Sequence, residues 1–396
     1  MHHLVRNLLF AVFVAAFVVG APVVVLYTAG YRYNPVNGLV VRTGVLSVES
    51  DPRGAAIALS GETTGEKTPY IFNRVMPGDY TVALSREGYH TWEREVAVAS
   101  GGTTYLSDVV MFLDEAPALA AALPEASLAV PSADGRTIAL VDRTERSARI
   151  WLFDPDGSSQ LDMITEYPAR ASDMVSLTWN VDATRLTLHN TTQGTAATFT
   201  TDGILLADDV QTDAAAPVAL VANAQAVEVY DVREGRTLVA LLPLTEYRIA
   251  EAEDGTAVIV GANHAIYVID LDDADNPIVV SANGTAYDFD AAARRFVWTD
   301  GIELNAADLD TGERTFITRQ SNAIIAVAWY PESNTVLVAT NDDLRAFSLN
   351  DGGTTITSLL GDATMFSFSL TEHAESASFY GEYDGVRGVF ILPLTK

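Results

Sequence analysis

The chain has 396 residues, with 52 Asp or Glu against 24 Lys or Arg, for a formal net charge of −28 at pH 7. Such a surface lacks the clustered cations that neutralise phosphates, which excludes nucleic acid as a partner. Cysteine is absent, so there are no disulfides, thiolate metal sites or lipoprotein cysteine, and stability rests on core burial.

From Leu8 to Tyr27 no residue is charged, and the run LLFAVFVAAFVVGAPVVVLY shows no polar face at any helical spacing. At about 1.5 Å per residue it matches a hydrocarbon core of ~30 Å. A cleaved signal has a shorter apolar stretch and a small-x-small site. Here cutting after Ala29 places Tyr27 three residues upstream, and cutting after Ala21 places Pro22 just past the bond. Residues 8–27 therefore read as an uncleaved signal-anchor whose partner is the lipid bilayer, with Pro22 tolerated inside it. Tyr27, Tyr31, Arg32 and Tyr33 form an interfacial belt. Arg6 is the only charged side chain before the span, so residues 1–7 are expected in the cytoplasm and everything after residue 27 outside it. That exported part is more acidic still, and its positive charge is nearly all arginine, since lysine occurs only at Lys67 and Lys396. A saline setting and a GC-rich genome are equally consistent with that bias.

Residues 28–43 are expected as a juxtamembrane linker. From Gly44 to about Leu113 the hydrophobic period is two: Leu46 and Val48 alternate with Ser47 and Glu49, and Tyr80, Val82 and Leu84 with Thr81, Ala83 and Ser85. Half-buried strands between Gly and Pro turns predict a small antiparallel sandwich over 44–114. Pro52-Arg53-Gly54-Ala55, then Gly65 and Thr68-Pro69, then Pro77-Gly78-Asp79-Tyr80, then Gly88-Tyr89 and Trp92 together resemble the PEGA domain family. Arg53 stands where that family's name has Glu, at a position read as turn surface. The resemblance implies a compact β-sandwich of envelope and surface proteins, with no assigned chemistry. Its structural residues here are Pro52, Gly54, Ala55, Pro69, Pro77, Gly78, Tyr80, Gly88, Tyr89 and Trp92. Tyr80, Tyr89 and Trp92 suit a small core, and Tyr89 with Trp92 could alternatively stack on sugar rings.

Residues 114–130, rich in Ala and Pro, read as a linker or first outer strand. Beyond them a loose repeat of polar turn, β-rich run, turn, run and acidic exit begins at Ser132, Asn180, Ala216, Ala252, Asp290, Tyr330 and Thr371. The starts lie roughly 36 to 48 residues apart, the period of four-stranded radial repeats. Trp179 and Trp329 each stand just before a turn read as opening a unit, and the runs ending at Asp272 and Asp310 read as third strands. These units resemble degenerate WD40-like and TolB-type propeller repeats, a likeness that implies a fold and not an activity. The expected fold class is all-β: an N-terminal transmembrane helix, a PEGA-like sandwich, and over 115–396 a six- to eight-bladed propeller, seven favoured. The run from Phe390 to Leu394 is expected to close the ring.

Chemistry is sparse. The histidines His2, His3, His90, His189, His264 and His373 form no metal-ligand spacing, and no nucleophile elbow, Walker loop or dinucleotide fingerprint occurs. Asp154 and Asp156 before Gly157, the group Asp270, Asp272, Asp273 and Asp275, and Asp308 and Asp310 before Gly312 could ligate calcium. None matches a full calcium loop, and Asp with Gly is equally a turn signal. Asn190 and Asn283 begin glycosylation sequons. No catalytic, cofactor or metal residue is assigned. The expected function is a non-enzymatic, single-pass envelope protein whose sandwich spaces a propeller that binds an envelope protein or glycan. The alternatives are a glycan hydrolase or lyase with its site in the propeller funnel, and a regulatory ectodomain acting through a membrane partner.

Overall fold

The computed structural model describes residues 2–35, 38–123, 125–132, 134–155, 160–206, 216–273, 275–350, 353–371 and 373–396. It divides into two compact units, 1–111 and 112–396.

The first unit opens with the helix His2–Thr28, which runs through Pro22. No residue of its most apolar window, within Leu8–Thr28, is buried against protein, so that stretch is long and apolar enough to cross a membrane. Gly30 ends it in the left-handed region (φ 88°), and Arg32 donates to the Tyr27 carbonyl at 2.8 Å with its guanidinium 3.5 Å from the Tyr27 ring centroid. A glycine past the last turn and a cation on the orphaned carbonyls are what a helix C-terminus requires. Residues 28–43 are not a plain linker: Tyr31–Asn34 pairs antiparallel with Leu39–Arg42. Thr43 then returns to the helix end, bonding the Gly30 carbonyl through both its N–H (2.9 Å) and its hydroxyl (2.8 Å).

Two sheets follow. One places Gly44–Val48 between Tyr70–Val75 and Thr103–Leu106; the other runs Glu62–Lys67, Ala56–Leu59, Gly78–Ser85, Trp92–Val98. The period-two residues Leu46, Val48, Ile57, Val82, Leu84, Trp92, Val96 and Val98 are buried while Glu93 and Glu95 remain outside. The expected antiparallel sandwich needs one correction. Thr103–Leu106 lies parallel to Gly44–Val48, because it arrives from the other sheet through a crossover instead of a hairpin.

The second unit holds seven antiparallel meander sheets among its described residues. In chain order they span 126–168, 175–200, 218–242, 247–283, 286–319, 324–360 and 364–393, and we number them one to seven. Ala118–Ala122 is the fourth strand of the seventh sheet, bonded to Val386–Pro393. Buried side chains join the first sheet to the second, the third to the fourth, the fourth to the fifth, and the fifth to the sixth. The seventh packs back on the first around Phe153, Tyr380 and Val389, and beside the sixth through Ile324–Tyr330 and Thr364–Leu370. Sheets that meander in order and close through a shared first-and-last sheet make a β-propeller.

The repeat is offset by one strand from the sheets. Ser132, Asn180 and Thr371 stand in the turn between first and second strands, and Ala252, Asp290 and Tyr330 at the end of a first strand, so Trp179 and Trp329 lie at the ends of first strands and open no sheet. Ala216 alone precedes a first strand, Val218–Ala222, whose turn falls at 223–226. Residues 114–130 carry two strands, Ala118–Ala122 and Ala126–Pro131, that belong to different sheets.

Candidate functional site

The ten residues expected to shape the first unit are dispersed over its turns and core. Ala55 and Trp92 are buried, as is Tyr89, which removes the sugar-stacking alternative for that pair. Gly54 (φ 92°) and Gly88 (φ 80°) take backbone conformations that favour glycine, and Gly78 (φ 153°) begins a strand. Tyr80 is half-buried and bonds the Met76 carbonyl at 2.9 Å, while Pro52, Pro69 and Pro77 lie at the surface or half-buried. Thr68, buried, does more than its place beside Pro69 announces. Its hydroxyl accepts from Gly54 N (3.1 Å) and Ala55 N (3.0 Å) and bonds Ser50 Oγ at 2.7 Å, holding the turn at 52–55.

The acidic exits are engaged by protein donors. Arg294 bridges Asp270 (2.7 Å) and Asp310 (2.5 Å), and Arg233 bridges Asp231 (2.9 Å) and Asp272 (2.8 Å). Asp308 accepts from Asp310 N and Thr311 N, and Asp273 from Asp275 N and Asn276 N, both as local turn caps. Among the described residues no three His, Cys, Asp or Glu gather to hold a metal. Asp156 and Gly157 lie outside the described residues. Asn190 is buried and donates to Asp173 at 2.9 Å, so its sequon is closed to modification, whereas Asn283 is exposed.

Two features were not visible as motifs. The first is an uncovered edge. In the first, fourth, fifth and sixth sheets a fourth strand covers the third, and in the seventh Ala118–Ala122 does so. In the third sheet, among the described residues, nothing pairs with the outer edge of Thr237–Leu242. Leu238 is 49% and Leu241 59% exposed there, with Leu244 just beyond at 59%. A cleft of about 420 Å³ adjoins it, lined by Asp231, Arg233, Thr237, Leu238, Val239 and Asp272 among others. The second sheet also has three strands, but its last, Thr195–Thr200, offers small polar residues and is partly capped by a bridge from Phe199 to Leu205.

The second feature joins first strands of the fourth, fifth and sixth sheets. Arg248 reaches the Tyr287 hydroxyl at 3.5 Å, and Trp329 N donates to Asp288 at 2.7 Å. Glu251 follows a bulge at Ala250 and is pushed up to about 8, chiefly by burial and then by the Asp288 charge. Burial also raises Asp288 to about 6, against the opposing N–H of Trp329. Glu251 is thus largely protonated at neutral pH, able to donate a hydrogen bond or a proton.

Among known proteins, a family match falls in the first unit. The family model described as "PEGA domain" matches residues 43–110. Those residues are a PEGA domain. Its turns at 52–55 and 77–80 and its buried Trp92 are the elements described above. No match is found among curated proteins. Similar solved structures include a chain of a mitotic checkpoint complex, 12% identical over 72% of this chain and 95% of that one, TM-score 0.42. Another is the C-terminal WD40 domain of Sif2, 17% identical over 71% and 88%, TM-score 0.42. A third is the Neurospora crassa Pan2 WD40 domain, 11% identical over 68% and 91%, TM-score 0.42.

Proposed function

We propose that this chain is a non-enzymatic, membrane-anchored cell-envelope protein. The helix at 8–27 sits in the bilayer with the N-terminus cytoplasmic, the PEGA domain spaces the propeller, and the propeller recruits a partner protein outside. The observation that carries the binding role is the uncovered edge of Thr237–Leu242 with Leu238 and Leu241 outside. Free N–H and C=O groups beside exposed leucines accept an extended strand by main-chain pairing, with alternate apolar side chains giving selectivity. The occupant is therefore an extended segment of another protein, filling the fourth-strand position that other sheets fill themselves.

The test places a photo-crosslinking residue at position 238 or 241 of the full-length chain in its own membranes. Adducts to one partner protein are expected, and a Leu241→Lys change in the chain probed at 238 should abolish them. Adducts unaffected by Leu241→Lys, no adducts, or adducts only to residues 207–215 of the chain itself would overturn the proposal. Alkaline carbonate extraction checks anchoring separately, the expected outcome being retention in the pellet.

A second reading has its own observation. Glu251 and Asp288, with raised and unequal proton affinities beside Arg248, would suit an acid and a base acting on an envelope glycan. Glycan release by the purified chain that Glu251→Gln abolishes would favour that reading over the first.

A further inference from the structure

A basic cavity in this acidic protein lies at the end of its apolar N-terminal helix. It measures about 570 Å³ and is lined by Arg42, Arg74, Asn73, Thr43, Thr103 and the Gly101–Gly102 turn, with no carboxylate among its walls. In a chain with more than two acids per base, a cavity with two guanidiniums and no acid is a strong local departure. Neither Arg42 nor Arg74 is in an ion pair among the described residues, and both are exposed, so their donors face the cavity or solvent. Geometry preserves that arrangement. Gly101 takes the left-handed conformation that favours glycine (φ 70°) and carries the turn close past the Arg42 side chain, 3.0 Å from where a Cβ would stand.

Position indicates the ligand. Ala29, the residue after the helix, forms part of the wall, and the two hydrogen bonds that Thr43 donates to the Gly30 carbonyl keep Arg42 and Gly44 at that height. Arg32 and Tyr27 pack together at the same level, as interfacial residues do.

We infer that this cavity binds the phosphate of an anionic phospholipid headgroup. The inference rests on the reading of residues 8–27 as a membrane span. Guanidiniums grip phosphate oxygens through paired N–H donors, and Asn73, Thr43 and Thr103 add neutral donors. Held so, a headgroup fixes the PEGA domain at the membrane surface.

The test uses the full-length chain, extracted from vesicles of phosphatidylcholine and phosphatidylglycerol in equal parts, with retained lipids counted by native mass spectrometry. Phosphatidylglycerol is expected to be enriched about fivefold or more, and Arg42→Gln with Arg74→Gln to remove that enrichment. Arg53→Gln, on the turn at 52–55 outside the cavity, is expected to change nothing. Equal retention by the double variant overturns the inference. Displacement of the lipid by millimolar inorganic phosphate overturns the lipid as its source and assigns the cavity to free phosphate. Carbonate extraction keeps the two readings apart: a chain released from the pellet fails as an anchor, whereas an anchored chain without enrichment fails only here.

Discussion

Trp329 donates its backbone N–H to the Asp288 carboxylate at 2.7 Å, tying the first strands of the sixth and fifth sheets across 41 residues of sequence. The bond satisfies a carboxyl that burial has already raised to about 6, and Glu251 beside it stands at about 8. Acidic side chains from separate sheets thus share one seam of the ring, and the Asp288 charge is among the causes that raise Glu251.

That seam sets a pH dependence. Glu251 holds its proton in the folded chain between its ordinary 4.5 and about 8, while the unfolded chain releases it. Its contribution is therefore present below that window and is lost as pH rises through it. Glu251→Gln is expected to leave the Tm unchanged near pH 4.5 and to raise it by several degrees at pH 8. Thermal unfolding of both chains across that range measures it, and parallel curves would contradict the assignment.

Asp173 runs the opposite way. Its carboxylate accepts from Arg170 N, Asn190 and Gln193, at 2.9, 2.9 and 2.6 Å, and lies below its ordinary range chiefly through the Arg170 N–H and then Asn190. That stabilisation is present above pH about 4 and fades as pH falls further. Asp173→Asn is expected to lower the Tm at pH 7, with the gap to the natural chain closing in acid.

In the PEGA domain the Thr68 hydroxyl is the test of the turn at 52–55. Thr68→Val keeps the shape but leaves Ala55 N without its acceptor, at a cost of about 1–3 kcal/mol. Thr68→Ser restores the acceptor and is expected to recover most of that loss. Denaturant unfolding of the three chains distinguishes a lost bond from lost packing.

Ring closure has a latch. The buried Tyr380 hydroxyl lies 2.9 Å from Leu123 O and 3.0 Å from Ala126 O, and Arg387 donates to it at 3.0 Å. Tyr380→Phe is expected to cost about 1–3 kcal/mol. Gly388→Ala should cost more, because its Cβ would stand 2.3 Å from the Ala121 carbonyl, in the strand that closes the ring. Faster hydrogen exchange over residues 118–122 is the expected signature.

Much of this architecture can be read locally. The uncharged run at 8–27, the alternation around Leu46 and Val82, and the turns at Asn180, Asp290 and Tyr330 all depend on residues near each other in sequence. The offset between repeat and sheet was not legible in that way. Trp179 looks like a preface to its turn, yet it ends a first strand, because a sheet is defined by which edge its neighbours pack on. The role expected for the Asp-rich exits changed for a similar reason: Arg294 and Arg233 reach them from other loops, which spacing within one exit cannot reveal.

The sequence by itself determined a membrane-length helix, an acidic β-rich chain without cysteine chemistry, and the turns of a PEGA domain, because hydrophobic period and turn chemistry act over a few residues. Only the tertiary structure decided that Thr237–Leu242 is left uncovered among the described residues, that Arg42 and Arg74 share one acid-free cavity, and that the Asp288 charge reaches Glu251. Each of these depends on segments brought together by sheet pairing and ring closure, which carry no local mark along the chain.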